Sequence, residues 1–388
     1  MNEQLIVKNF GPIKDATVDF KRVTVFIGPT GGGKSTLAKL AAISRDKELM
    51  HPDPLYISTR KEKFTHYNIL SHLSDESTFN WVTVKSIINY GKGDYELELD
   101  EKSTEYLEKQ ISTISDLLNS KSKNKLHNLL SASELLKNYE ESFNQIVAPT
   151  TPVYVPSERI FVAAINTAWP GLMSENIGLP KTLTAFANLY FQARESIEFL
   201  RIPFLGIDFF RLNQQDLIVL ANQLPLKIAE TASGVQSVTP LLVLLEHLSR
   251  NTEQAQSFII EEPELNLYPT AQQGLLNWLV EKCTKGDNDL TITTHSPYIL
   301  SHLNLLLYAY QVAEKHPDRK EAVAAIVPEA SWINPKEFAC YQVENGGVQS
   351  LVDAELGLID NNELDGLSGD AADAFDNLIR LSKGFAIK

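Results

Sequence analysis

Gly28-Pro29-Thr30-Gly31-Gly32-Gly33-Lys34-Ser35 sets glycines along a short stretch and closes it with Lys-Ser. That spacing suits a loop whose backbone N–H groups wrap a phosphate. Small residues let the main chain come close, and a helix N-terminus behind the loop favours negative charge. Lys34 would reach the β- and γ-phosphates of a nucleoside triphosphate, and Ser35 would ligate Mg2+. The candidate nucleotide-binding residues are Gly28, Pro29, Thr30, Gly31, Gly32, Gly33, Lys34, Ser35 and Thr36.

A second group is Phe258-Ile259-Ile260-Glu261-Glu262-Pro263-Glu264, an apolar run that ends in carboxylates. In a strand, successive side chains point to opposite sides, so one carboxylate can face a metal while the next faces the attacking water. Glu261 is assigned to Mg2+, directly or through water, and Glu262 to orienting that water. Alone, such a pair would be an ordinary solvated strand end; behind a phosphate loop it suits catalysis. His295, in Thr294-His295-Ser296-Pro297, follows another apolar run and is expected beside Glu262, where an imidazole can hydrogen-bond the γ-phosphate. Lys34, Glu262 and His295 are thus the catalytic candidates. Thr231-Ala232-Ser233-Gly234-Val235-Gln236-Ser237, followed by an apolar helix from Pro240 to Leu248, is a second candidate anion site at a helix N-terminus, with Ser233, Gly234 and Gln236 as its binding residues.

The elements that must position these groups read as an α/β chain. Leu5 to Phe10, Ala16 to Phe20 and Val23 to Ile27 are strands, the last running into the glycine loop, and a helix follows from Lys34 to about Ser44. Ser257 to Ile260 and Leu290 to Thr293 are buried strands separated by a helix from Thr270 to Lys282, which makes them parallel neighbours. Helices are expected from Leu183 to about Leu200. A hairpin turns at Asn345-Gly346-Gly347, and a helix is expected over Ala371–Leu381. Residues 46–149 are polar and rich in lysine and serine, with a paired-helix stretch from about Asp100 to Val147. They are read as an inserted, mostly helical subdomain in an ATPase-type domain formed by residues 1–45 and 150–388. Lysines 121, 123 and 125 suit a solvated helix-loop-helix tip, or contact with an acidic partner or nucleic acid.

Composition bounds the setting. The 388 residues are 43% hydrophobic and 22% charged, as in ordinary globular chains. No apolar run suits a bilayer span and Met1-Asn2-Glu3-Gln4 is no signal segment, so a cytoplasmic location without a membrane partner is expected. Cys283 and Cys340 have no metal-binding spacing and are expected to be reduced packing residues. The net charge of -14 argues against a surface that grips nucleic acid everywhere, though a local basic groove stays open.

Taken in this order, the four motifs resemble the nucleotide-binding domain of the ABC ATPase superfamily: Walker A at 28–35, signature at 233–236, Walker B at 258–262 and switch histidine at 295. The resemblance implies ATP and Mg2+ as ligands and a P-loop fold with a mixed central sheet flanked by helices. It also implies an ATP-sandwich dimer, or larger homo-oligomer, in which Ser233 and Gly234 act in trans. Leu5 to Ile13, Tyr154-Val155-Pro156-Ser157-Glu158-Arg159 and Glu261 to Pro269 are similar to the RecF, SMC and OLD-like soluble ATPases. Compact members of that branch resemble the ATPase component of PARIS-type or Septu-type phage defence. A separately encoded effector, such as a TOPRIM or HNH nuclease, and a phage trigger are the partners this implies. A RecF-like DNA clamp is the alternative. The glutamine loop of transporter-type members has no clear counterpart, and no Asp-x-Asp pair follows His295, so no nuclease site is expected in this chain. Glu158 and Arg159 are open to a dimer or effector contact or to an internal salt bridge. The acidic residues Asp360, Glu363, Asp365, Asp370, Asp373 and Asp376 suit a solvated helix face or a basic partner surface.

Overall fold

The computed structural model describes residues 3–46, 57–91, 94–119, 125–147, 150–165, 168–169, 171, 178–220, 224–250, 254–360, 374–375 and 377–379. Its centre is a six-stranded sheet in the order Gly347–Ser350, Phe338–Glu344, Val23–Ile27, Asp289–Thr293, Gln256–Glu261, Thr151–Val155. Neighbouring strands run parallel except for the edge hairpin of Phe338–Glu344 with Gly347–Ser350, which turns where expected through Asn345 and Gly346 at positive φ. The mixed α/β sheet read from the sequence is therefore present.

Successive side chains of these strands point to opposite faces, and each face meets a core of its own. Val23, Val25, Ile27, Phe258, Ile260, Leu290 and Ile292 face one core, packed with the helices Lys181–Ser196, Ser233–Leu248, Pro269–Cys283 and Pro297–Lys315. Phe26, Ile259, Tyr341 and Val343 face a second core under the helix Lys34–Ser44. Both faces are covered, so every strand residue of Val23–Ile27, Gln256–Glu261 and Asp289–Thr293 is buried. Register then sets the site. Phe26 pairs with Thr293 and Thr293 with Glu261, so three strands end level along one sheet edge.

Beneath that edge, Arg45 closes the helix Lys34–Ser44 and ties it to two strands. Its guanidinium lies 2.6 Å from Glu3 and 3.5 Å from Asp289, over the rings of Phe20 and Trp81. Burial pushes the Asp289 carboxyl up to about 6, against the pull of Arg45. Both cysteines are free and buried.

Two parts differ from the sequence expectation. Segment 46–149 is mostly helical only in its second half, where Glu101–Asn119 packs on Lys125–Val147. Before that pair, Thr78–Val82, Ser86–Gly91 and Asp94–Leu99 extend the antiparallel sheet of Glu3–Phe10 and Ile13–Phe20. The cause is the apolar face presented by Glu3–Phe10: Phe79, Trp81, Ile88 and Tyr90 complete its core around Phe10 and Phe64. The helical run expected to reach Leu200 stops at Ser196, and Phe199–Ile202 begins a four-stranded antiparallel sheet with Ile207–Leu212, Gln215–Leu220 and Leu226–Lys227. Alternating burial of Leu200 and Ile202 marks the change of period. Lysines 121 and 123 and most of the helix expected over 371–381 lie outside the described residues.

Candidate active site

The glycine loop is built against its surroundings as much as for its ligand. Gly28 has φ 138°, and a Cβ there would stand 2.3 Å from the Val343 carbonyl oxygen. Gly33 has φ 110°, and a Cβ would stand 2.4 Å from Ile13 Cδ1. The loop is thus wedged between the edge hairpin and the Gly11-Pro12-Ile13 turn. Directly after it, the helix Lys34–Ser44 presents Ser35 exposed and Thr36 buried.

Lys34 is buried, and its Nζ folds back to donate to the carbonyls of Gly28 at 2.8 Å and Pro29 at 2.9 Å. Burial lowers its pKa, while the carboxylates of Glu262, Glu261 and Glu264 pull the other way. Nζ is also 3.5 Å from Nδ1 of His295, whose Nε2 is 3.2 Å from Glu262 Oε1. An ammonium only donates, so Nδ1 accepts, and Nε2 carries the proton that goes to the carboxylate. Lys34, His295 and Glu262 form one donor chain along the sheet edge.

The two carboxylates do not simply alternate along a strand. Glu261 is the last strand residue, 5% exposed, with its carboxylate beside the buried Tyr154 hydroxyl. Glu262 lies beyond the strand at φ 41°, a left-handed conformation costing a non-glycine residue on the order of 1–3 kcal/mol. Its N–H donates to the Thr293 carbonyl at 2.9 Å. The turn, rather than the pleat, aims Glu262 at His295. Glu264 supports the same edge: its carboxylate accepts from the Thr294 hydroxyl and, at 3.1 Å, from the His295 N–H, while burial pushes its carboxyl up.

Arg159 was open to an intermolecular contact or a salt bridge, and the structure gives it another place. It is fully buried, and its guanidinium donates to the carbonyls of Glu261 at 2.7 Å, Glu262 at 2.6 Å and Pro263 at 3.0 Å. Glu158 beside it is exposed.

A cleft of about 350 Å3 collects the loop residues Thr30, Gly31, Gly33, Lys34, Ser35 and Thr36 with Glu262, His295, Pro12 and His72. His72 carries no motif and was not a sequence candidate. The signal for it is structural: the Gly11 N–H donates to the His72 carbonyl at 3.0 Å, and a Cβ on Gly11 would meet the His72 ring at 2.6 Å. Ser233, Gly234 and Gln236 are not in the lining. Ser233 is exposed at the start of its helix, and Gly234 is packed where a Cβ would come 2.7 Å from the Asn266 carbonyl oxygen. Gln236, expected to bind nucleotide, uses its amide group to donate to the carbonyls of Thr231 at 2.7 Å and Ala229 at 3.1 Å. Within one chain it shapes the turn before the helix.

These residues fit a nucleotide with Mg2+. The glycine loop offers close backbone approach, Ser35 exposes a hydroxyl to the cleft, and Glu261, outside the lining itself, places a buried carboxylate next to Glu262. The model of the AAA ATPase domain family (AAA_15) matches residues 44–300. The chain belongs to this family. The matched residues of the ATPase include the acidic strand and Thr294–Pro297 and begin after the glycine loop. ATP hydrolysis is the general activity that this membership supports. No curated protein matches the ATPase. Among solved structures, the Smc head domain from Pyrococcus furiosus with the C-terminal domain of ScpA matches at 10% identity and TM-score 0.39, covering 89% of the ATPase and 94% of that chain. The SMC head domain from Thermotoga maritima matches at 13% identity and TM-score 0.40, covering 90% and 98%. The recombination mediator RecF, in its RecF-ATPrS structure, matches at 11% and 0.33, covering 90% and 98%. Likeness at this level assigns neither substrate nor partner. No helix among the described residues is long and apolar enough to cross a membrane.

Proposed function

We propose that two copies of this ATPase close around two ATP molecules, each bound by the glycine loop of one copy and capped by Ser233 and Gly234 of the other. The Glu262–His295 pair, 3.2 Å apart beside Lys34 in one cleft, carries the hydrolytic reading. Binding asks Lys34 to exchange the Gly28 and Pro29 carbonyls for the β- and γ-phosphates, which join it to a stronger charge-assisted partner. Ser35 and Glu261 would hold Mg2+, which neutralises charge on the phosphate oxygens when bound. Glu262 orients the attacking water, and His295, whose Nε2–H goes to Glu262 in the nucleotide-free chain, would share that proton with a γ-phosphate oxygen.

Ser233 supports action in trans, since it is exposed at a helix N-terminus and absent from its own chain's cleft. Ser233→Arg is expected to lose most hydrolysis while binding ATP nearly as wild type. Mixing it with a Lys34→Ala chain should restore turnover above either alone, because one hybrid site then has an intact loop and an intact cap. Unchanged turnover of Ser233→Arg, or no gain on mixing, would count against the sandwich.

The ATP-bound assembly is further proposed to hold a separately encoded effector, such as a nuclease, as a sensor or scaffold in bacterial phage defence. Support comes from the resemblance of the 154–159 and 261–269 segments to soluble RecF, SMC and OLD-like ATPases. The net charge of -14 disfavours a general grip on DNA. Tagged Glu262→Gln protein purified from its native host should bring down a nuclease or toxin in stoichiometric amount. Chromosomal DNA with repair proteins would replace this reading with a RecF-like DNA clamp.

A further inference from the structure

We propose that Arg159 is a positioning residue for hydrolysis, holding Glu262 in its left-handed turn and tying that turn to the helix that begins at Ser233. The proposal rests on the reading of Glu262 given above.

The turn creates a specific chemical demand. Where the strand Gln256–Glu261 ends, the carbonyls of Glu261, Glu262 and Pro263 converge on the Arg159 guanidinium, and the Glu262 carbonyl also accepts from the Leu265 N–H at 3.1 Å. A planar guanidinium with donors in a fixed fork can meet all three at once; an ammonium is a single point on a flexible stem. Arg159 also donates to the Pro156 carbonyl at 3.2 Å, which fixes the guanidinium to its own loop. Burial lowers its pKa to about 10, and the carboxylates of Glu264, Glu262, Glu261 and Glu158 help to keep it charged at neutral pH.

Arg159 joins the strand Thr151–Val155 to the short helix Ile160–Ile165. That segment packs on the helix Ser233–Leu248, with Val162 and Ala163 in the same core as Val238 and Leu241. One end of this contact leads to the cap for a neighbouring copy's ATP, and the other ends on the backbone of the water-orienting residue. A shift of the Ser233 helix on docking would reach Glu262 through Arg159.

The test is a cycle of Arg159→Lys, Glu262→Gln and the double variant, in steady-state and single-turnover ATP hydrolysis, with ATP affinity measured separately. Arg159→Lys keeps the charge but not the fork. It is expected to lower kcat roughly a hundredfold, the scale of a catalytic group misplaced by about an ångström. Affinity for ATP should stay within about threefold, since Arg159 does not line the cleft. The double variant should be no slower than Glu262→Gln, because the positioned group is already disabled. In Arg159→Gln, added millimolar guanidinium should restore part of kcat without moving ATP affinity, a response that general loosening of the fold would not give. Wild-type kcat in Arg159→Lys, equal losses in both backgrounds, or a parallel loss of ATP affinity would overturn the proposal. Wild-type hydrolysis by Glu262→Gln would instead remove the underlying reading of Glu262.

Discussion

Glu262→Gln is expected to cut ATP turnover roughly a thousandfold while leaving ATP bound, the range lost when a positioned acid–base group is removed. The substitution conserves shape. The left-handed turn is held by backbone bonds, from the Glu262 N–H to Thr293 and from Arg159 to three carbonyls, so an amide should occupy the carboxylate's place. What changes is chemistry: a carboxylate accepts from His295 and from a water together, whereas an amide presents one oxygen and one NH2 group. The ATP-bound assembly should then accumulate, visible as a larger species in size exclusion with ATP and Mg2+ and absent without ATP. Turnover equal to wild type would take Glu262 out of the mechanism. Loss of ATP affinity with loss of turnover would show that Glu262 serves binding instead.

Those parts of the site whose chemistry needs backbone or buried strands could be read from the sequence. Gly28 and Gly33 are legible because no other residue tolerates their φ and their neighbours Val343 and Ile13. The runs 23–27, 257–260 and 290–293 are legible because both faces of the central sheet are covered. Glu262 stands out in the sequence as a candidate, but its geometry does not, because the turn that aims it involves Arg159, far away in the chain. His72 left no trace, since its place in the cleft follows from how its ring seats on Gly11. Gln236 has a further place that the motif does not show: within its own chain its amide satisfies carbonyls of its own turn. Strands 78–99 were hidden by their half-exposed alternation, which becomes decisive only beside the apolar face of Glu3–Phe10.

Lys34→Ala addresses binding, and its expected effect is of the same order. Removing one partner of a buried charge contact costs about 2–5 kcal/mol, at least about thirtyfold in Kd for ATP. The fold should survive, because Lys34 itself lines the cleft, and water entering the space its side chain leaves can serve the Gly28 and Pro29 carbonyls. Thermal unfolding separates the two effects. Bound ATP should raise the wild-type Tm, because ligand stabilises the native state as RT ln(1 + [L]/Kd), and the same ATP concentration should leave the variant nearly unmoved. The pH dependence gives an independent check. Burial lowers the Lys34 pKa from 10.5, so between the lowered value and 10.5 the unfolded chain binds more protons than the folded one, and Lys34 makes nucleotide-free stability rise with pH. In Lys34→Ala that contribution should vanish, leaving a shallower rise in the same window. A variant that kept the ATP-induced Tm shift would mean that Lys34 keeps its loop carbonyls and never turns to the phosphates, and one that kept the steeper slope would mean that another group causes it.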